Sequence, residues 1–165
     1  MKLTINIIKA YKPWRIEPFV AKKSIRAVVK EVLCAYHNKP IAKEIELTAL
    51  LTHSAEMQRL NMEFRGKNKP TNVLSFPDAE LDSNTLLEFK CTEDYIYLGD
   101  LAFGYEVVKN EAEMQGKALE HHFVHLLVHG LLHLLGFDHE DETEAEEMEA
   151  LEVKILSKLS IPSPY

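Results

Sequence analysis

The sequence predicts a single domain that mixes strands with helices, and three observations carry that prediction. Apolar residues alternate with a period of two in Leu3 to Ile8 and again in EIELTALLT, as half-buried strands do. They recur at helical spacing after Pro18 and through everything beyond about Tyr105. No linker, internal repeat or low-complexity stretch divides the 165 residues, and a chain of that length buries about 70% of the surface it exposes when unfolded, enough for one core.

The elements follow in order. Leu3 to Ile8 is the first strand. Ile25, Val28, Val29, Val32, Leu33 and Tyr36 form the buried face of a long helix that Pro40 forbids from continuing. Ile45, Leu47, Ala49 and Leu51 share one face of a second strand. Ser54 reads as the N-cap of a helix carrying Met57, Leu60 and Phe64, with Gly66 as its stop. KNKPTN is turn chemistry, VLSF is a short strand bounded by Pro77, residues Asp78 to Asp94 read as a mobile excursion, and DYIYLGDLAF is another strand. A helix from about Tyr105 breaks at Gly116, a long apolar helix runs from about Ala118 to Leu135, and a last helix starts at Thr143. There Thr143 and Glu146 read as a capping box, with Ala145, Met148, Leu151, Ile155 and Leu159 as the buried stripe.

Composition limits the function classes. Apolar residues at 46% and charged residues at 27% are globular proportions, against both a disordered tail and a membrane protein. The first residues, MKLTINIIKAYKPW, are too interrupted for a signal peptide, and no run approaches the roughly 18 apolar residues of a membrane span. Cys34 and Cys91 form no C-x-x-C pair and are expected to be buried or free thiols, which suits a reducing cytosol. A net charge of −7 opposes indiscriminate adhesion to nucleic acid. The charge is uneven, however: HEDETEAEEMEALE is acidic, while Arg65, Lys67 and Lys69 make a short basic stretch.

The chemistry concentrates in HGLLHLLGFDH, residues 129 to 139. His129 and His133 stand four apart, so on a helix their Cβ atoms lie about 5–6 Å apart on one face and two imidazoles can reach one ion. Gly136 can take the left-handed conformation that ends the helix and turns His139 back toward the same ion. Three ligands leave one tetrahedral position open, the mark of a catalytic rather than a structural zinc site. His125 lies a turn earlier, about 6 Å along the axis from His129, and with His121 and His122 it suits a supporting or structural role.

The spacing matches the metzincin protease signature H-E-x-x-H-x-x-G-x-x-H everywhere but one position: Gly130 stands where the general-base glutamate belongs. Ordinary peptidase chemistry is therefore disfavoured, although a metal ion can still acidify water to a pKa of about 7. A second segment, LNMEFRGKNKPTNVLSFP, combines Arg65, Lys67 and Lys69 with Thr71, Asn72 and Ser75, groups that suit an anionic substrate. Arg65 offers a planar fork able to hold a phosphate. The alternative is a solvated lysine-rich loop.

Together the FRGKxKPTNVLSFP-like segment and the HGxLHLLGxDH motif, with YLGDLAF at 97 to 103 and EAEEMEALE at 144 to 152, resemble the YbeY family of bacterial single-strand-specific endoribonucleases. The resemblance runs from about Leu60 to Leu156, and Phe137 replaces the tyrosine common at its position. It implies that His129, His133 and His139 hold one zinc ion per chain and that Arg65 is the functional arginine, with Lys67, Lys69 and Ser75 beside it at the substrate. It further implies one α+β domain over residues 1–165, with a mixed sheet of about four strands covered by helices and a zincin-like metal helix in the core. The implied work is on ribosomal RNA: maturation of the 3′ end of 16S RNA and quality control at the small ribosomal subunit, in the cytoplasm.

Either water or a ribose 2′-hydroxyl would then attack the phosphodiester, and only the second leaves a 2′,3′-cyclic phosphate. Two rivals stand beside this reading. One is a metallopeptidase whose base comes from elsewhere, such as Glu106 or Glu140. The other is a non-catalytic ribosome-associated factor with a structural metal. The acidic face from Glu140 to Glu152 reads as solvated helix surface, and Asp100 and Asp138 each either orient a ligand histidine or cap a turn.

Overall fold

In the computed structural model, which describes residues 1–36, 41–78, 93–139 and 141–165, alternating apolar residues set the centre. β1 (Lys2–Lys9), β2 (Ala42–Thr52), β3 (Val73–Pro77) and β4 (Glu93–Gly104) form one sheet in the order β1-β2-β4-β3. β1, β2 and β4 run parallel, and β3 pairs antiparallel to β4 at the edge. This is the predicted α+β class with a mixed four-stranded sheet. Ile45, Leu47, Ala49 and Leu51 have no exposed surface, as their alternation required.

Parallel neighbours need a crossover, and α1 (Lys22–Tyr36) supplies it between β1 and β2, burying Ile25, Val28, Val29, Val32, Leu33 and Tyr36. α2 (Ser54–Arg65) covers the opposite face of the sheet, where Met57 packs with Leu74 and Ala102. α3 (Tyr105–Met114), α4 (Leu119–Leu134) and α5 (Glu142–Lys158) complete the helices, and α4 packs against β3, β4, α1, α3 and α5. A helix surrounded on so many sides must be apolar nearly all round, and α4 is, from Phe123 to Leu134. Two short 3-10 turns, Lys12–Ile16 and Pro18–Val20, have no periodic signature in the sequence. They seat Trp14 and Phe19 against Phe123, and the Trp14 indole donates to the Thr52 carbonyl at 2.9 Å.

Three helix details differ from expectation. His53, not Ser54, caps α2: its Nδ1 accepts the Glu56 amide at 3.3 Å, while Ser54 is already helical and its N–H and hydroxyl donate to Glu106. Asp141, not Thr143, caps α5, accepting the Glu144 amide at 2.8 Å. A carboxylate two residues upstream offers the first turn an acceptor before a threonine can. Phe64 points outward, 59% exposed, against Phe76. Gly66, at φ 67°, stops α2 as expected. Of the predicted excursion from Asp78 to Asp94, Glu93 and Asp94 belong to β4, because Glu93 pairs with Ala42. Residues 79–92, like Pro40, Cys91 and Glu140, lie outside the described residues. Cys34 is a free, exposed thiol, and no described helix is long and apolar enough to cross a membrane.

Candidate metal centre

The last two turns of α4 put His129 and His133 on one face. Leu135 ends the helix, Gly136 takes φ 87°, and the Phe137 amide returns to the Leu132 carbonyl at 3.0 Å. Phe137 then packs its ring against Tyr36 at 5.6 Å, which fixes where the turn leads. His139 comes back over the helix end, so that one nitrogen from each of His129, His133 and His139 lies within 4.8 Å of the other two. The sequence-predicted triad is thus assembled.

Hydrogen bonding assigns the protons. His133 Nδ1 faces the Phe137 carbonyl at 2.9 Å, which can only accept. His129 Nδ1 faces Glu152 Oε1 at 2.6 Å. Each Nδ1 therefore donates, which turns each Nε2 toward the shared site. Those two Nε2 atoms are 3.1 Å apart. Two nitrogen ligands at about 2.0–2.1 Å from one tetrahedral ion stand about 3.3 Å apart, close to this separation. The donor set fits a zinc-like cation. Burial, reinforced by the neighbouring His129 and His139, pushes His133 down to about 4, so it is a neutral imidazole at neutral pH.

Glu152 is the residue sequence reading missed. It was grouped with the solvated acidic face, yet it has no exposed surface. Burial opposes its ionisation, but hydrogen bonds from His125, His129 and Tyr165 outweigh that and hold its carboxyl at about 2. A usable signal existed: Met148, Glu152, Ile155 and Leu159 recur at helical spacing, so Glu152 sits on the apolar stripe while Leu151 is only partly buried.

Gly130 has a structural reason of its own. A Cβ there would lie 2.9 Å from Leu101 Cδ2 and 3.3 Å from Ser75 Oγ, so the bare position lets α4 lie close against the side chains of β3 and β4. A glutamate at the protease position would require the Leu101 side chain to move aside. Ser75 uses its hydroxyl to donate to the Gly130 carbonyl at 3.3 Å, tying β3 to the metal helix.

An open cleft of about 330 Å³ runs past the triad, lined also by Arg65, Asn72, Ser75, His125 and Tyr165. Arg65 reaches it from the last turn of α2. Lys67 and Lys69 are exposed and do not line it; the Lys69 carbonyl instead accepts from Asn61 at 2.8 Å. Asp138 accepts the His139 amide at 2.8 Å and is a turn cap. Asp100 accepts from the Tyr97 hydroxyl at 2.8 Å and holds no ligand histidine. Glu106 binds Ser54 at the start of α3 and is absent from the cleft lining. His122 pairs with Glu111 at 2.7 Å, and His121 lines a separate hollow with His122 and His125.

Comparison with known proteins follows the same lines. The family described as endoribonuclease YbeY matches residues 14–160. An endoribonuclease YbeY of Chelativorans sp. (strain BNC1) is 46% identical over 164 residues, covering 98% of this chain and 93% of the relative. A Thermotoga maritima protein solved in solution shares the fold, with a TM-score of 0.57 at 22% identity over 98% of this chain and 96% of its own.

Proposed function

The chain belongs to the YbeY endoribonuclease family, and on that premise we propose that it is a zinc-dependent enzyme cutting single-stranded RNA, its target the 3′ region of 16S ribosomal RNA on the small subunit in the cytoplasm, during maturation and quality control. The observation that carries the metal-dependent reading is the convergence of His129, His133 and His139, with two Nε2 atoms 3.1 Å apart, on a cleft that also holds Arg65.

His129, His133 and His139 hold one ion. Bound there, it supplies Lewis acidity and brings the pKa of a water toward 7. Glu152 keeps His129 in the tautomer that offers Nε2, and the Phe137 carbonyl does the same for His133. Among the described residues lining the cleft Arg65 has no carboxylate partner, so its guanidinium is available to bind a phosphate and to stabilise the charge that grows on it during displacement. Ser75 is held against α4 and supports the wall more than it binds; Lys67 and Lys69 act from outside the cleft as phosphate-attracting charge.

The test is metal analysis coupled to RNA cleavage by wild type, His133→Ala and Arg65→Ala. Near one zinc per wild-type chain is expected, with cleavage lost in both variants and metal lost only in the first. Chain ends without 2′,3′-cyclic phosphate identify water as the nucleophile. Cleavage of casein but not of RNA sinks the reading in favour of a peptidase.

A further inference from the structure

We propose that Tyr165 forms a nucleobase-binding subsite: its ring is a wall of the catalytic cleft on which an unpaired base stacks. The proposal rests on the reading of the cleft as an RNA site and adds what selects single strands there.

Two hollows flank the triad. One carries Arg65, and the other, of about 290 Å³, is bounded by α5. His129, His139 and Tyr165 line both. RNA lying across the metal site from Arg65 toward α5 must pass this tyrosine. Among the described residues it is the one Phe, Tyr or Trp lining either hollow. The other exposed aromatics among the described residues, Phe64 and Tyr95, are engaged elsewhere, against Phe76 and on Glu46.

Tyr165 is also held in place. Its hydroxyl donates to Glu152, its ring meets His125 edge-on at 5.7 Å, and the preceding Pro164 carbonyl accepts from Lys117 at 3.3 Å. Yet the residue remains 63% exposed. Its hydroxyl is anchored on Glu152 while the residue lines both hollows of the cleft. A pinned, exposed ring is the form of a stacking platform, because little freedom is lost when a base lands on it. Stacking tolerates any base but needs a free π-face, which a paired base within a duplex does not offer. The subsite therefore favours single strands without reading sequence.

The experiment uses the full zinc-loaded chain and a single-stranded oligonucleotide with 2′-O-methyl sugars, which binds without being cut by 2′-hydroxyl attack and is followed by anisotropy at short times. One abasic residue is walked through it, and 2-aminopurine replaces the base at the sensitive position. For wild type, one position loses about tenfold in affinity when abasic, and 2-aminopurine there is quenched on binding. Tyr165→Ala binds the intact strand about tenfold more weakly, shows no abasic penalty there and no quench. Tyr165→Phe keeps the ring without the Glu152 bond and retains most of both. The inference is overturned if Tyr165→Ala keeps the wild-type penalty, or if Tyr165→Phe loses as much as Tyr165→Ala, which would make the hydroxyl bond the whole effect. A wild type that binds no single strand at all overturns the RNA reading beneath it instead.

Discussion

The two halves of α4 carry the same device to different ends. Near its start, His122 is held by a carboxylate from α3, Glu111, at 2.7 Å; two turns later, His129 is held by a carboxylate from α5, Glu152, at 2.6 Å. The second nitrogen of His129 meets another imidazole across an open cleft, whereas the second nitrogen of His122 is buried with no hydrogen-bond partner among the described residues. Glu111 also accepts from Asn72, so the first pair ties a cleft-lining loop to the core. A histidine–carboxylate pair therefore does not make a metal site. Convergence does, and the turn at Gly136 that returns His139 is what the first half lacks.

The sharpest way to break this comparison is to remove one histidine from each half. His129→Ala is expected to lose its metal and at least about 10³-fold in RNA cleavage, since no nucleophile is activated without the ion. His122→Ala should keep about one metal per chain and cleave within about threefold of wild type, while losing about 1–3 kcal/mol of stability because Glu111 keeps only its bonds from Asn72. Metal analysis, single-turnover cleavage and urea melts read all three; metal loss from His122→Ala would show that the halves are one site.

A smaller effect follows from the carboxylates. Glu152→Ala should weaken metal binding about 10–100-fold, measured by competition with a chelator, because His129 loses the partner that fixes its tautomer. Glu152→Gln keeps an acceptor and should lose less. Glu111→Ala should leave metal affinity unchanged, and any comparable loss there erases the distinction between the pairs.

What was legible in the sequence followed range. The triad could be read because its geometry is local: one helical turn from His129 to His133, then a glycine that reverses the chain to His139. Strand alternation and the apolar α4 were legible for the same reason. Arg65 was not given by spacing, since it lies on a different helix far away in sequence; its chemistry suggested an anion site, and the family's motif singled it out. Glu152 was hidden because its neighbours Glu146, Glu147 and Glu149 are solvated, and charge composition outweighed its place on the stripe. Tyr165 carried no local signal, because its role depends on where the tail after α5 lies. The caps were misplaced by one or two residues because His53 and Asp141 reached the helix ends first.

The Glu111 pair also predicts a pH dependence. Burial raises this carboxyl, but hydrogen bonds from His122 and Asn72 outweigh that and hold it below its ordinary 4.5. The unfolded chain then binds the proton more readily, so this contribution to stability is complete above about pH 4.5 and is lost as pH falls through the lower folded value. Glu111→Gln should therefore be less stable than wild type at pH 7, with the gap narrowing as pH falls below about 4.5. Urea midpoints across pH 3 to 7 read it; a gap that widened in acid would reverse the sign of the interaction.

The smallest expected effect lies outside the cleft. Lys67 and Lys69 follow Arg65 closely in sequence, but the turn after Gly66 leaves them in solvent while Arg65 lines the site. Exposed charges act through the field they add, which salt screens beyond about 10 Å at 0.1 M. Replacing both with alanine should raise KM for RNA about two- to fivefold at low salt and almost nothing at high salt, with kcat unchanged. Arg65→Ala should instead lower kcat at every salt concentration, because its charge is spent on the transition state. If the double lysine variant lost kcat independently of salt, the lysines would have to enter the cleft during turnover, and the boundary drawn between the metal half of α4 and the surface around it would move outward to include them.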